Sequence, residues 1–246
     1  MTNVSVGPPK AVGRSTPTAG GVMGMSALAE PDTYGRLGVA VADAPVSGRL
    51  DVSTVGWLTV EGGAGELTVD GTTVAVPARS RWEGPGWSAL LAPGATFDVT
   101  GGLHATLVWR VTHERTSTRL LDPADVVVEE RGDGPTKRTV RTYLPEGPLV
   151  CGETLNPPGG WSSYPPHRHE QEEVYLYRFN PPEGFGIAAC YDTDGGHDPR
   201  PQLLRDGDLT RITHGYHPVV AAPDAAMYYL WAIAGKPDTR TDPIYS

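Results

Sequence analysis

The sequence predicts an all-β chain folded as two antiparallel β-barrels of jelly-roll or sandwich type. Three observations carry this expectation. Short runs of alternating apolar and polar residues recur at regular spacing from residue 50 onward, and no stretch shows the 3.6-residue periodicity of a long amphipathic helix. The 31 glycines and 24 prolines among 246 residues supply turns at nearly twice the average usage of roughly 12%.

Residues 1–35 are rich in Gly, Pro, Ser and Thr without sustained periodicity, and read as a flexible tail or strap that carries no chemistry. Alternation begins at residues 50–60. Residues 66–69 and 72–76 flank Asp70-Gly71, a hairpin signal because a type I′ turn needs positive φ at both central positions. Further strands are expected at 88–91, 95–100, 105–111, 126–129, 138–144, 173–179, 185–191, 209–213, 218–222 and 227–233. A weak internal similarity, strand to glycine turn to β-branched strand, appears once in each half of the chain. It divides the chain into a first barrel over residues 36–125 and a second over residues 126–246.

Composition narrows the partners. Lys and Arg total 20 against 29 Asp and Glu, a net charge of −9, and no basic stripe is present, so nucleic acid is not an expected partner. Without a run of ~18 apolar residues or an apolar N-terminal stretch, a soluble cytoplasmic protein with no membrane partner is expected. Cys151 and Cys190 lie in no CxxC pattern and read as small buried hydrophobes. Strand edges need covering, which favours a homo-oligomer.

Chemistry concentrates in the second half, where five of the seven histidines fall between residues 167 and 217. On an extended chain His167 and His169 project from one face, so two imidazoles can converge. Glu173 opens the next strand with the parity of Tyr175 and Tyr177, while Glu170 and Glu172 are rival carboxylates. His217 follows a glycine turn at Gly215 and precedes Val219 on the same face; His214 is its rival and reads as a turn residue. Three neutral imidazoles and one carboxylate suit one divalent metal ion, Zn, Mn, Fe or Ni. The first half offers no such set: His104 and His113 are isolated, and Phe97 stands where the second half has His217.

The patterns Gly160-x6-His167-x-His169-x3-Glu173 and Gly207-x5-Thr213-His214-Gly215-Tyr216-His217 resemble the two cupin motifs, with Thr213 where Pro is usual. More specifically, residues 159–169, Glu172-Glu173-Val174-Tyr175-Leu176-Tyr177-Arg178-Phe179, residues 215–223, Tyr228-Tyr229-Leu230 and Ala234-Gly235 resemble the 5-deoxy-glucuronate isomerase family of inositol catabolism. That is a bicupin group related to uronate ketol-isomerases, and the resemblance covers about residues 130–235.

It implies two cupin-type jelly-roll barrels, the second holding a metal on His167, His169, Glu173 and His217. It also implies metal-assisted aldose–ketose isomerisation of a small-molecule sugar acid, a deoxy-uronic acid such as 5-deoxy-glucuronate. Such a reaction moves a proton from a carbon beside a carbonyl, and a divalent ion stabilises the negative charge that develops. A hydroxide on the metal, a pocket tyrosine or Glu172 could shuttle the proton, and Glu172 is the catalytic candidate. For the substrate's carboxylate Arg141 is preferred over Arg168 and Arg178, and Tyr164, Tyr175, Tyr177 and Tyr229 are expected to line the pocket.

The sequence departs from the family at Trp231, where Asn is usual, and after Gly235 at Lys236-Pro237-Asp238-Thr239. Another cupin metalloenzyme, such as an Fe-dependent oxygenase or a biosynthetic isomerase or cyclase, and a non-catalytic sugar-acid-binding cupin are the alternative readings.

Overall fold

The structure, a computed structural model, describes residues 6–7, 25–29, 31, 37–191, 200–235 and 240–241. It is all-β. The only helical turns among the described residues are the 3-10 turns Pro123–Asp125 and Gly134–Thr136, and no helix is long and apolar enough to cross a membrane. The chain divides into two compact units, Lys10–Val126 and Val127–Ser246 with Met1–Pro9. Of the expected N-terminal strap, most residues lie outside those described; Val6–Gly7 pairs with Thr210 and Leu209 of the second unit.

The first unit is organised by one long strand, Thr54–Val69. Its first half pairs with Ser88–Leu91 and His104–Val111, and its second half with Thr72–Arg79 and Thr96–Gly101. A register shift between Val60 and Gly62 marks the bulge where it changes partners, as a strand does when it turns the corner between two layers. Leu58, Leu67, Leu91, Phe97, Leu103 and Leu107 fill the core between its partners. The hairpin forms where Asp70-Gly71 predicts it, with φ of 45° and 80° at the two central residues.

In the second unit a seven-stranded sheet runs in the order Val6–Gly7, Leu209–Ile212, Glu173–Asn180, Ala226–Ala234, Leu149–Asn156, Arg138–Leu144, Val127–Arg131. A four-stranded sheet runs Trp161–Ser162, Val219–Ala221, Gly186–Cys190, Arg200–Leu204. Tyr175, Tyr177, Phe179, Met227 and Tyr229 from the larger sheet pack with Ala188, Val219 and Ala221 from the smaller, which places the core between them. A short ladder joins Arg168–His169 to Arg240–Thr241.

Most expected strands are present, and several appear that periodicity does not reveal. Leu149–Asn156 lies inside the larger sheet, between Ala226–Ala234 and Arg138–Leu144, and is buried along nearly its whole length. A strand covered on both faces has no polar alternation to display. Leu37–Asp43 is buried in the same way over its first four residues.

The two kinds of position in the first unit predict different losses. Phe97, 1% exposed, leaves a core cavity when cut to Ala, and Phe97→Ala is expected to cost about 3–5 kcal/mol. At Gly71 an added Cβ meets nothing within 4 Å, so Gly71→Ala pays only for its left-handed backbone, about 1–2 kcal/mol. Urea unfolding of the two variants checks this; equal losses would contradict the placement of Phe97 in the core.

Candidate metal centre

The strand Glu173–Asn180 sends Glu173, Tyr175, Tyr177 and Phe179 to one face by simple alternation. Glu173 lies in register with Ile212 on one neighbour and Ile233 on the other, Tyr175 with Thr210 and Trp231, and Tyr177 with Tyr229. The site is built at the Glu173 end of this face. His169 reaches it from the two-residue strand Arg168–His169. His217 reaches it from the turn that enters Val219–Ala221, where Gly215 takes a φ of 86° open chiefly to glycine.

His169, Glu173 and His217 are all buried, and they each offer a ligand atom within 4.8 Å of the others. Glu173 Oε2 lies 3.0 Å from His169 Nε2, 3.2 Å from His217 Nε2 and 3.2 Å from the Tyr175 hydroxyl. The other nitrogen of each ring decides the protonation. His169 Nδ1 is 2.7 Å from the carbonyl of Gln171, and His217 Nδ1 is 3.0 Å from the carbonyl of Gly215. Carbonyls only accept, so each Nδ1 carries the proton, and in the neutral ring the Nε2 lone pair is turned towards Glu173.

Two lone pairs and a carboxylate facing one another in a buried place repel unless a cation stands among them. Protonating both Nε2 atoms would instead bury two imidazolium ions against one carboxylate, an uncompensated charge. The Nε2 of His217, at ion-pair distance from Glu173 but without hydrogen-bond alignment, has no hydrogen-bond partner among the described residues. These donors fit a divalent cation. Burial pushes the Glu173 carboxyl up; positive charge at the His169 and His217 side of the group, which a cation held between the rings would supply, outweighs it and holds the carboxyl well below the ordinary carboxylate range. Glu173 is therefore ionised, as a ligand must be.

His167 stands beside the cluster without joining its tightest group. It is half-buried, with its ring centroid 5.0 Å from that of His217 and 6.4 Å from that of His169. Its Nδ1 lies 3.2 Å from the carbonyl of Pro165, the same fixing of the ring seen in the other two. His214 is exposed and bonds Thr213, and Glu170 is exposed.

The tyrosines lie where alternation puts them. Tyr175 gives its proton to Glu173, so at the 2.7 Å contact with Ser163 it accepts. Tyr229 donates to Ser162 at 3.0 Å, and Asn156 Nδ2 donates to the same oxygen at 2.7 Å. Tyr175 and Tyr229 pack with centroids 4.5 Å apart and their rings tilted by 43°, and Tyr177 is fully buried beside them. Tyr164 is 43% exposed and meets Trp161 edge-on.

Two expectations are corrected. Glu172 is not in the cluster: its Oε1 lies 3.3 Å from Arg211 Nε, and Arg211 is in register with Val174, whose side chain points to the opposite face of the sheet from Glu173. Arg141 is likewise turned away. It is buried 3.1 Å from Glu153, its cross-strand neighbour, on the face opposite Thr154 and Tyr229. A buried guanidinium takes the carboxylate directly across from it, and the bulge between Thr142 and Leu144 breaks the parity that linked Arg141 to Tyr143. Asn156, Ser162 and Ser163 are polar partners that residue type alone does not single out. Trp231 is half-buried against the core, Lys236 to Thr239 lie outside the described residues, and in the first unit Phe97 is a core residue while His104 bonds Asp43 at the surface.

The model of the KduI/IolB family matches residues 40–245. A 5-deoxy-glucuronate isomerase of Geobacillus thermodenitrificans is 38% identical over 141 residues, 51% of this chain and 51% of that protein. The chain thus spans about half the length of that relative. Among solved structures, an IolB-like protein from Salmonella typhimurium superposes with a TM-score of 0.79 at 25% identity, covering 91% of this chain and 93% of the other. A cupin 2 conserved barrel domain protein from Leptotrichia buccalis superposes with a TM-score of 0.50 at 12% identity over 89% of this chain and 92% of its own, a likeness of fold.

Elemental analysis after reconstitution with Zn, Mn, Fe or Ni is expected to find about one ion per chain, lost in His217→Ala and retained in His104→Ala. Two ions in the native chain, or none, would contradict the geometry. Removing the hydroxyl that supports Glu173, in Tyr175→Phe, is expected to weaken metal affinity about 10- to 100-fold, measured by competition with a chelator.

Proposed function

From its membership of the KduI/IolB family, to which this chain belongs, we propose that it is a metal-dependent ketol-isomerase of a deoxy-uronic acid such as 5-deoxy-glucuronate. The reading takes both units as cupin-type barrels, with only the second holding a metal. One observation supports it above the others: His169 and His217 are each fixed through Nδ1 by a backbone carbonyl, with Nε2 directed at the ionised Glu173. His167, with its Nδ1 at the Pro165 carbonyl, completes the proposed ligand set. The relative named above carries the same activity in its name.

When bound to His167, His169, Glu173 and His217, a divalent ion supplies positive charge to a carbonyl and the hydroxyl beside it. The protein's own groups do the rest. Tyr175 keeps its proton, because burial, aided by the charge of Glu173, pushes its phenol well above the ordinary value. It acts as a donor that orients Glu173, with Ser163 donating to it in turn. Tyr229, fastened to Ser162, continues this polar line along the sheet face. Tyr177, Phe179 and Met227 continue the same face away from Glu173 as packed core. Glu172, committed to Arg211, is not part of the proton path.

Incubation with 5-deoxy-glucuronate in deuterated water is expected to give the ketose, with deuterium on the carbon beside the carbonyl or internal transfer of the original hydrogen, and no oxygen uptake. Glu173→Gln is expected to lower turnover by at least about 100-fold while the protein remains folded. Metal-loaded protein that consumes oxygen, or that leaves the sugar acid unchanged, would overturn the reading.

A further inference from the structure

A sugar acid brings a carboxylate that needs a cation, and the structure removes the obvious ones. Arg141 is held by Glu153 and Arg211 by Glu172, both on the far face of the larger sheet. Arg178, in register with Tyr228, shares that far face with Leu176 and Leu230, and it donates to the Tyr177 carbonyl. Arg168 lies over the Tyr216 ring, 5.8 Å from its centroid.

Arg138 differs from all of these. It begins the strand Arg138–Leu144 two residues before Val140, and Val140 faces Thr154, which faces Tyr229, which faces Tyr177. Alternation therefore puts Arg138 on the face that carries the His–Glu cluster. The side chain is half-buried, donates from Nη1 to the Thr136 carbonyl at 2.9 Å, and reaches the Tyr164 carbonyl from Nη2 at 3.5 Å. Both partners are neutral, and among the described residues no carboxylate pairs with it. A guanidinium has five N–H donors, so most of this fork is available to a planar anion.

The segment that holds Arg138 is also the one that orders the site. Ser162 receives Tyr229, Ser163 bonds Tyr175, and the Tyr164 carbonyl receives Arg138. The positive charge of Arg138 is felt at Tyr229, where it opposes the upward push of burial. His167 follows Tyr164 by three residues, so at most about 10 Å of chain separates the anchor of Arg138 from a candidate ligand. An extended six-carbon acid spans roughly 6 Å, and a hydrogen bond to a guanidinium adds about 3 Å. From the Tyr164 anchor the neighbouring Ser163 hydroxyl leads to Glu173 through Tyr175, in contacts of 2.7 Å and 3.2 Å.

We propose that Arg138 binds the carboxylate of the sugar-acid substrate, holding the far end of the molecule while its carbonyl end meets the His–Glu cluster. The assignment rests on the isomerase reading for the charge of the substrate, and it replaces Arg141 in that role.

The test compares Arg138→Met and Arg138→Lys with the native enzyme, using 5-deoxy-glucuronate and its neutral counterpart 5-deoxy-glucose, with metal content measured in each. In Arg138→Met the KM for the acid is expected to rise about 10- to 100-fold with kcat and metal content little changed, and the preference for acid over neutral sugar to fall by the same factor. Arg138→Lys, which keeps the charge but loses the fork, is expected to recover part of that preference. A native enzyme that turns over the acid, with Arg138→Met showing the same KM or the same acid preference, would overturn the proposal and leave the isomerase reading standing. A native enzyme that turns over neither sugar would remove the isomerase reading and the proposal with it.

Discussion

The site depends on how a buried carboxylate is compensated. Glu173 is placed among apolar side chains by the alternation of its strand, and taking a charge there costs several kcal/mol unless partners are fixed around it. The partners are two imidazoles whose orientation is set from outside, by the carbonyls of Gln171 and Gly215. Each ring is thus committed before any ion arrives. That preorganisation links backbone geometry to chemistry: the turn at Gly215 matters because its carbonyl holds the ring of a histidine two residues later.

A second constraint follows from the pleat of the larger sheet. Its two faces divide the ionisable residues of the second unit into two populations. Arg141 with Glu153 and Arg211 with Glu172 lie on one, mutually neutralised; Glu173, Tyr175, Tyr229 and Arg138 lie on the other. Because side chains alternate with a period of exactly two residues, neighbours in sequence such as Glu172 and Glu173 acquire unrelated roles.

This division explains what the sequence reveals and what it hides. The convergence of His169, Glu173 and His217 is legible because period-two spacing and a glycine turn are local properties, and the Asp70-Gly71 hairpin is legible for the same reason; His167 stands beside the cluster. The resemblance to a known family, carried by the stretches around those residues, agrees with the family model over residues 40–245. Arg141 and Glu172 mislead because their partners, Glu153 and Arg211, come from other strands, and the bulge between Thr142 and Leu144 interrupts the parity on which the reading relied. Leu149–Asn156 escapes notice because burial on both faces erases alternation, although it is an interior strand of the sheet. Arg138 has no sequence signal of its own. Its position emerges only when the ladder from Val140 through Thr154 to Tyr229 is laid out.

The long strand Thr54–Val69 of the first unit has a consequence for how that unit opens. Its two halves belong to different sets of neighbours, yet its backbone is continuous through the bulge. Neither set can separate without disturbing a strand that the other also uses, so partial opening gains little entropy for the contacts it loses. The amides of this strand should exchange with solvent as one cooperative block, at the rate of the unit's global unfolding and not of a local fluctuation. In that sense the strand works as a spine, giving the first unit a single melting behaviour.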